Sequence, residues 1–227
     1  MEKYLENKLM HFFTKYRQVK YKKNETILRI EDPPQGLYYI SKGFVRIYMI
    51  IGNGQELTIN IFKTGSFFPL TWAIADIPNF YFYEAMTPTE IWRAPKHDFL
   101  NFIKKDKEIL YEMSRRILMG LNSLSVRLEY LILGDAYHRV TNVLLLLGRR
   151  FGEIKKGNDV YINFPVTQQE IANLAGLTRE TVSVEIKKLE KNGIIKRKNP
   201  VYIISNPKKL KNESLIYVEG CPLPYFF

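Results

Sequence analysis

The stretch VTQQEIANLAGLTRETVSVEIKKLEKNGII, Val166–Ile195, decides how the chain is read. Thr167 stands three residues before Glu170, the spacing of a capping box that opens a helix. Ile171 and Leu174 give that helix an apolar side. Gly176 follows, then Leu177 and Thr178, and a second helix is predicted from Arg179 to about Lys191. Asn192-Gly193 suits a left-handed C-cap at its end. Counting Gln168 as one, Ala172 falls at five, Gly176 at nine and Val182 at fifteen. These are the steric demands of a helix-turn-helix. A small residue lets the helices approach, glycine makes the turn, and an apolar residue locks the second helix. Ile194-Ile195 and Val201–Ile204 then flank Lys196-Arg197-Lys198-Asn199-Pro200 and read as a hairpin wing. An ordinary helical hairpin would not combine this spacing, cap and basic wing.

The exposed side of the second helix fits double-stranded DNA. Arg179 pairs bidentately with guanine, and Glu180 accepts from a cytosine amino group. Ser183 and Val184, one turn on, complete the base-reading set. Thr167, Gln169, Thr178 and Thr181 stand near helix N-termini, where they can reach phosphates. Lys187, Lys191, Lys196, Arg197 and Lys198 supply the salt-dependent attraction.

Working towards the N-terminus, Gly134-Asp135 breaks one helix and caps the next, which carries Val140, Val143, Leu144 and Leu147. From Asp106 to Leu133 there is no proline and a single glycine. Leu110, Ile117, Leu124 and Leu131 recur every seven residues, with Ser114, Leu121 and Leu128 on a second seam position. The pattern predicts one helix, roughly 40 Å long at ~1.5 Å per residue, that pairs as a dimer seam. Arg115, Arg116, Arg127 and Glu129 fall off that seam and are expected to face solvent or flank it. Between about Val19 and Pro95, β-rich runs are punctuated by glycine. Phe44–Ile51 and Glu56–Phe62 around Gly52-Asn53-Gly54 make a hairpin, since those turn residues reach positive φ cheaply. Several such strands suggest a small barrel, roll or sandwich. Tyr4, Leu5, Leu9, Phe12 and Phe13 mark a short amphipathic helix before them.

The 227 residues carry 34 Lys+Arg against 23 Asp+Glu, a net charge of +11. The excess is spread over both halves, so its placement on the second helix and wing, and not its total, marks the DNA-binding part. Cys221 is the lone cysteine, which excludes an intramolecular disulfide framework and a four-thiolate metal site. His11, His97 and His138 are scattered without paired-ligand spacing, so no metal is expected. No apolar run approaches a membrane span or a signal-peptide core, and a cytoplasmic protein without membrane contact is expected. No nucleophile–base pair, Gly-rich phosphate loop or other catalytic constellation stands out, so no catalytic residue and no cofactor are assigned.

The chain resembles the Crp/Fnr family of bacterial transcription regulators over nearly its whole length. Val166–Ile195, with its RETV core, looks like that family's helix-turn-helix, and Gly36–Met49, GLYYISKGFVRIYM, looks like its β-roll. The resemblance implies an α+β architecture. An N-terminal effector-sensing β-roll, a double-stranded β-helix or jelly roll with flanking helices, would span 1–105. A long dimerisation helix would span 106–134, and a C-terminal winged helix-turn-helix 135–227. It also implies a homodimer on an inverted-repeat operator, RNA polymerase as a partner, and a small-molecule effector biasing a hinge between Leu133 and Asp135.

Departures from the family are informative. Its cyclic-nucleotide binders carry a Glu for the ribose and an Arg-Ser pair for the phosphate. Here those positions align to Leu70 and to Asn79-Phe80, and a buried phosphate would lack compensation. The corresponding segment is aromatic, and Phe68, Leu70, Trp72, Tyr81 and Tyr83 are the candidates for an apolar effector pocket. Filling of the roll by its own side chains, with activity independent of any effector, is the competing expectation. Many relatives have a second Arg at the position of Val184, which cannot read guanine but can touch a thymine methyl. Glu185 and Lys188 stand where relatives often have apolar residues, so this helix is expected to pack differently there. The functional alternative is a β-roll that binds a small molecule or a protein without operator-specific DNA binding.

Overall fold

The structure, a computed structural model, describes residues 2–52, 54–155, 158–164, 166–198 and 201–214. Cys221 and the tail aromatics Tyr225, Phe226 and Phe227 lie outside that set, as do Asn53 of the hairpin turn and Asn199-Pro200 of the wing. The chain divides into two compact units, the first ending at Leu121 and the second starting at Asn122. That division falls inside the long helix.

The first unit opens with α1 (Glu2–Phe13), the amphipathic helix read from its apolar spacing. The strands are β1 (Arg17–Tyr21), β2 (Thr26–Leu28), β3 (Leu37–Lys42), β4 (Phe44–Ile50), β5 (Glu56–Lys63), β6 (Phe67–Phe68), β7 (Phe82–Ala85) and β8 (Thr89–Ala94). A short helix, α2 (Leu70–Ala75), interrupts them, and α3 (Lys96–Lys105) follows. They form two antiparallel sheets of order β1-β8-β3-β6 and β2-β7-β4-β5. The hairpin is β4–β5, with Phe44 opposite Lys63 and Ile50 opposite Glu56. Gly43 links β3 to β4 at φ +96°, where a Cβ would fall 2.5 Å from the Thr89 hydroxyl, so only glycine fits.

Two cores follow from strand alternation. Inside the roll, Leu28, Tyr38, Ile40, Val45, Ile47, Phe68, Tyr83 and Ile91 pack together from both sheets. Residues pointing the other way, Leu37, Tyr39, Phe67 and Ala94, meet Leu5, Leu9 and Phe13 of α1, Phe99 and Ile103 of α3, and Ile109 and Met113 of the next helix.

That next helix, α4 (Lys107–Leu133), is the predicted long helix. Asp106 caps it, accepting from the backbone N–H groups of Glu108 and Ile109 at 3.1 and 3.2 Å. Lys8 also pairs with Asp106, and this contact above all holds the carboxyl below its ordinary pKa. In the second unit α5 (Ala136–Phe151) begins at Asp135, whose side chain accepts from the His138 N–H as the sequence indicates. Then come β9 (Gly152–Ile154), β10 (Val160–Ile162), α6 (Gln168–Ala175), α7 (Arg179–Lys191), β11 (Ile195–Lys198), β12 (Val201–Ile204) and α8 (Pro207–Asn212). The sheet order is β11-β12-β10-β9, all antiparallel. The wing is the β11–β12 pair, with Lys196 opposite Ile203 and Lys198 opposite Val201. The α+β architecture of roll, long helix and winged helix-turn-helix is the one the sequence implies.

Candidate nucleic-acid interface

The helix pair is built by caps at both starts. Thr167 Oγ1 accepts from the Glu170 N–H at 3.1 Å, and the Glu170 carboxylate accepts from the Thr167 N–H. Gly176 ends α6 in the left-handed region at φ 63°, and its N–H returns to the Ala172 carbonyl. Thr178 then caps α7, its hydroxyl accepting from the Thr181 N–H at 3.2 Å and sharing a 2.9 Å hydrogen bond with the Thr181 hydroxyl. A capping hydroxyl spends acceptor capacity and keeps its O–H. Thr167 can therefore still donate outwards, and the Thr178–Thr181 pair retains one hydroxyl proton between them. Gln169 commits one amide N–H to Asn173 at 2.8 Å.

On α7, Val182, Ile186 and Leu189 are buried, and Ala172 and Ala175 of α6 are buried likewise. The opposite side exposes Arg179, Glu180, Val184, Lys187 and Lys191, with Ser183 and Thr181 half-buried. The four base-reading candidates thus share one helix and its accessible side. Lys196, Arg197 and Lys198 are exposed on β11, which packs beside α7. Arg197 lies over the Tyr202 ring at 5.8 Å. Glu185 departs from an apolar helix interior as the sequence indicates. It is buried, and the exposed Lys188 reaches back to its carboxylate at 2.8 Å.

Arg127, expected to face solvent or to flank the seam, does not face solvent. Its side chain is buried, and Nη2 donates to the Leu174 carbonyl at 2.8 Å. Burial lowers its pKa, while Tyr130 beside it acts the other way. Leu174 lies in the last turn of α6, where carbonyls have no intrahelical donor, so a cation there satisfies both the hydrogen bond and the helix dipole. The signal was available: Ser123, Arg127 and Tyr130 recur at helical spacing on one side of α4, and all three are buried. Arg115 and Arg116 instead pair with the buried Glu112 on α4.

The seam candidates of α4 are uncovered in the single chain. In the first unit Leu110, Ile117 and Leu121 are exposed, and in the second Leu124 and Leu128; values run from 40% at Ile117 to 57% at Leu121. Leu131 is half-buried.

The five effector candidates do not share one wall. Phe68 and Tyr83 are buried inside the roll, and Tyr81 packs against the same cluster. Leu70 and Trp72 lie on α2 and pack against the cluster formed with α1 and α3. The roll interior holds a ring stack: Phe68 meets Tyr38 at 5.4 Å, Phe62 at 5.5 Å and Tyr83 at 4.6 Å, centroid to centroid. Burial pushes the Tyr83 hydroxyl well above its ordinary pKa. Asn79, one of the positions aligned to the phosphate anchor, donates to the Arg29 and Tyr81 carbonyls at 2.7 and 2.8 Å, and Phe80 is exposed. Among the described residues no cluster of three or more His, Cys, Asp or Glu is placed to hold a metal, and no helix is long and apolar enough to cross a membrane.

Residues 18–106 match the cyclic nucleotide-binding domain family, and residues 138–213 match the Crp-like helix-turn-helix domain family. The chain is 29% identical over 195 residues to the CRP-like cAMP-activated global transcriptional regulator of Mycobacterium tuberculosis, covering 85% of each. It is 27% identical over 165 residues to the global nitrogen regulator of a Nostoc species, covering 72% of this chain and 74% of that one. Its fold superposes on a Crp/Fnr-family transcriptional regulator from Thermus thermophilus with a TM-score of 0.70 at 25% identity, covering 87% of this chain and 98% of the other. The structure of FixK2 from Bradyrhizobium japonicum gives 0.76 at 21% identity, over 89% and 98%.

Proposed function

The chain belongs to the Crp/Fnr family of transcription regulators, and on that premise we propose that it acts as a homodimer reading an inverted-repeat DNA operator through α7. The observation that carries this reading is the accessible side of α7, where Arg179, Glu180, Ser183 and Val184 stand together while Lys187 and the wing cations flank them. Base edges take the first group and phosphates the second. Thr167, Gln169, Thr178 and Thr181 add phosphate contacts at the two helix N-termini.

Dimerisation through α4 is supported by the exposed Leu110, Ile117, Leu121, Leu124 and Leu128, continued by Leu131. Such a row in a soluble helix is what a second copy covers. Two reading helices would then meet successive major grooves, about 34 Å apart. The assignment of 1–105 to sensing, 106–134 to dimerisation and 135–227 to DNA binding belongs to the same proposal. So do RNA polymerase as the partner through which transcription changes, and the cytoplasm as the place where the protein acts. Members of this family are transcription regulators, not enzymes.

Cyclic nucleotides are not its effectors on this reading. Support comes from Leu70 and Asn79-Phe80 at the anchor positions and from the engagement of the Asn79 amide with backbone carbonyls. The ring stack about Phe68 favours a roll filled from within over an apolar effector pocket.

The test is selection of DNA from a random library by the full chain, followed by footprinting. A two-fold symmetric consensus protected over successive major grooves is the expected result. Retention of no sequence, even at low salt, overturns the proposal and favours a ligand- or protein-binding β-roll.

A further inference from the structure

We infer that Val184 is a specificity-determining residue that reads a thymine by its C5-methyl group. The inference rests on the proposal above that α7 lies in a major groove.

From Asp135 onwards, the large apolar side chains most exposed among the described residues are Ile154 and Val184. Ile154 lies on β9, away from the helix pair in sequence and element. Val184 lies in the second turn of α7 and is 53% exposed. A single exposed apolar residue usually needs no partner. This one differs in what surrounds it. Val184 follows Glu180 by one turn and precedes Lys187 and Lys188, so the accessible side of α7 is polar or charged everywhere except here. A β-branched residue is also a poorer helix former than the Lys, Glu or Arg that fill the neighbouring positions. Helix propensity and solvation both argue against valine at a site that meets only water.

Major-groove chemistry supplies the missing partner. Guanine, adenine and cytosine are told apart in the groove by their hydrogen-bonding groups, while thymine adds a methyl group. A valine has no donor or acceptor to offer, so the methyl, the largest apolar group on any base edge in that groove, is the feature it matches best. Arg179 and Glu180 in the preceding turn meet bases through hydrogen bonds. The half-site is then read in two chemistries along α7: polar contacts at the first turn, then one apolar contact at Val184. Glu185 beside it is buried and the exposed Lys188 folds back onto that carboxylate, while Val184 stays exposed at the same level.

The experiment uses the full chain and the consensus recovered by selection. Each half-site thymine is replaced in turn by deoxyuridine, which removes only the methyl. At one symmetric position the replacement should weaken binding about fourfold per half-site, the effect of withdrawing one buried methyl-sized group. In Val184→Ala that sensitivity should fall to near unity, with helix content unchanged because the side chain is exposed. In Val184→Arg, selection should return guanine in place of thymine at that position. Indifference of the wild-type chain to deoxyuridine at every position overturns the inference, and so does undiminished sensitivity in Val184→Ala. Both leave the operator proposal standing. Failure to select any consensus overturns the operator proposal itself, and this inference with it.

Discussion

Arg127 on α4 and Leu174 on α6 are joined by a 2.8 Å hydrogen bond from guanidinium to carbonyl. The contact seats the end of the first helix of the pair on the long helix, within the second unit. Replacing Arg127 by Met keeps an aliphatic stem and removes the charged donor. The change should destabilise the chain by roughly 1.5–3 kcal/mol, the range for a hydrogen bond to a charged group. Urea unfolding followed by circular dichroism measures it. An unchanged midpoint would show that the contact carries no net stability.

A second prediction concerns the exposed row on α4. Leu121 is 57% exposed in the single chain, so Leu121→Glu should fold normally and retain its helical signal. In a dimer it would place two like charges opposite each other in an apolar seam, which cannot be solvated without separation. Sedimentation equilibrium should show a monomer where the parent chain is a dimer, with operator affinity falling in step. A dimer of undiminished stability would remove α4 as the interface.

How far the sequence could be read depended on the range of each contact. The helix-turn-helix was legible because its caps, Gly176 and the Ala172–Val182 spacing are local and sterically exacting. The β4–β5 hairpin was legible for the same reason. Pairing of β1 with β8, where Arg17 meets Arg93, was not, because nothing local joins residues so far apart in sequence. The heptad pattern showed which side of α4 is apolar but not what covers its other side, so the burial of Arg127 was not legible. The division of the aromatic segment between two cores was not legible because α2 was not foreseen. Its helical turn sends Leu70 and Trp72 to one core while β6 and β7 send Phe68 and Tyr83 to the other.

Glu112 makes the fold acid-sensitive at a definable point. Its carboxylate is buried and bonded by Arg115 and Arg116, at 2.7 and 2.8 Å, and these contacts hold its pKa below the ordinary value of 4.5. A depressed carboxyl pKa stabilises the fold fully above the unfolded value and loses that contribution as pH falls through the folded one. Stability measured by urea midpoint should therefore fall below about pH 4.5. Glu112→Gln should be less stable at neutral pH and show a shallower acid slope. Identical slopes for the two proteins would assign the acid sensitivity elsewhere.

The last prediction separates reading from attraction. Arg179 opens α7 and Lys196 lies on the wing, and both are exposed, so neither substitution should unfold the chain. Arg179→Ala should cost roughly 1–3 kcal/mol on the selected operator and relax preference at one base pair of each half-site, because a bidentate contact to guanine is lost. Lys196→Ala should weaken specific and non-specific DNA alike and lower the slope of log affinity against log salt by about 1, the signature of one lost phosphate contact. Affinity titrations at several salt concentrations, on operator and scrambled duplexes, measure both effects. Sequence-independent losses of equal size from the two substitutions would mean that Arg179 touches only phosphate, and the reading helix would have to be assigned anew.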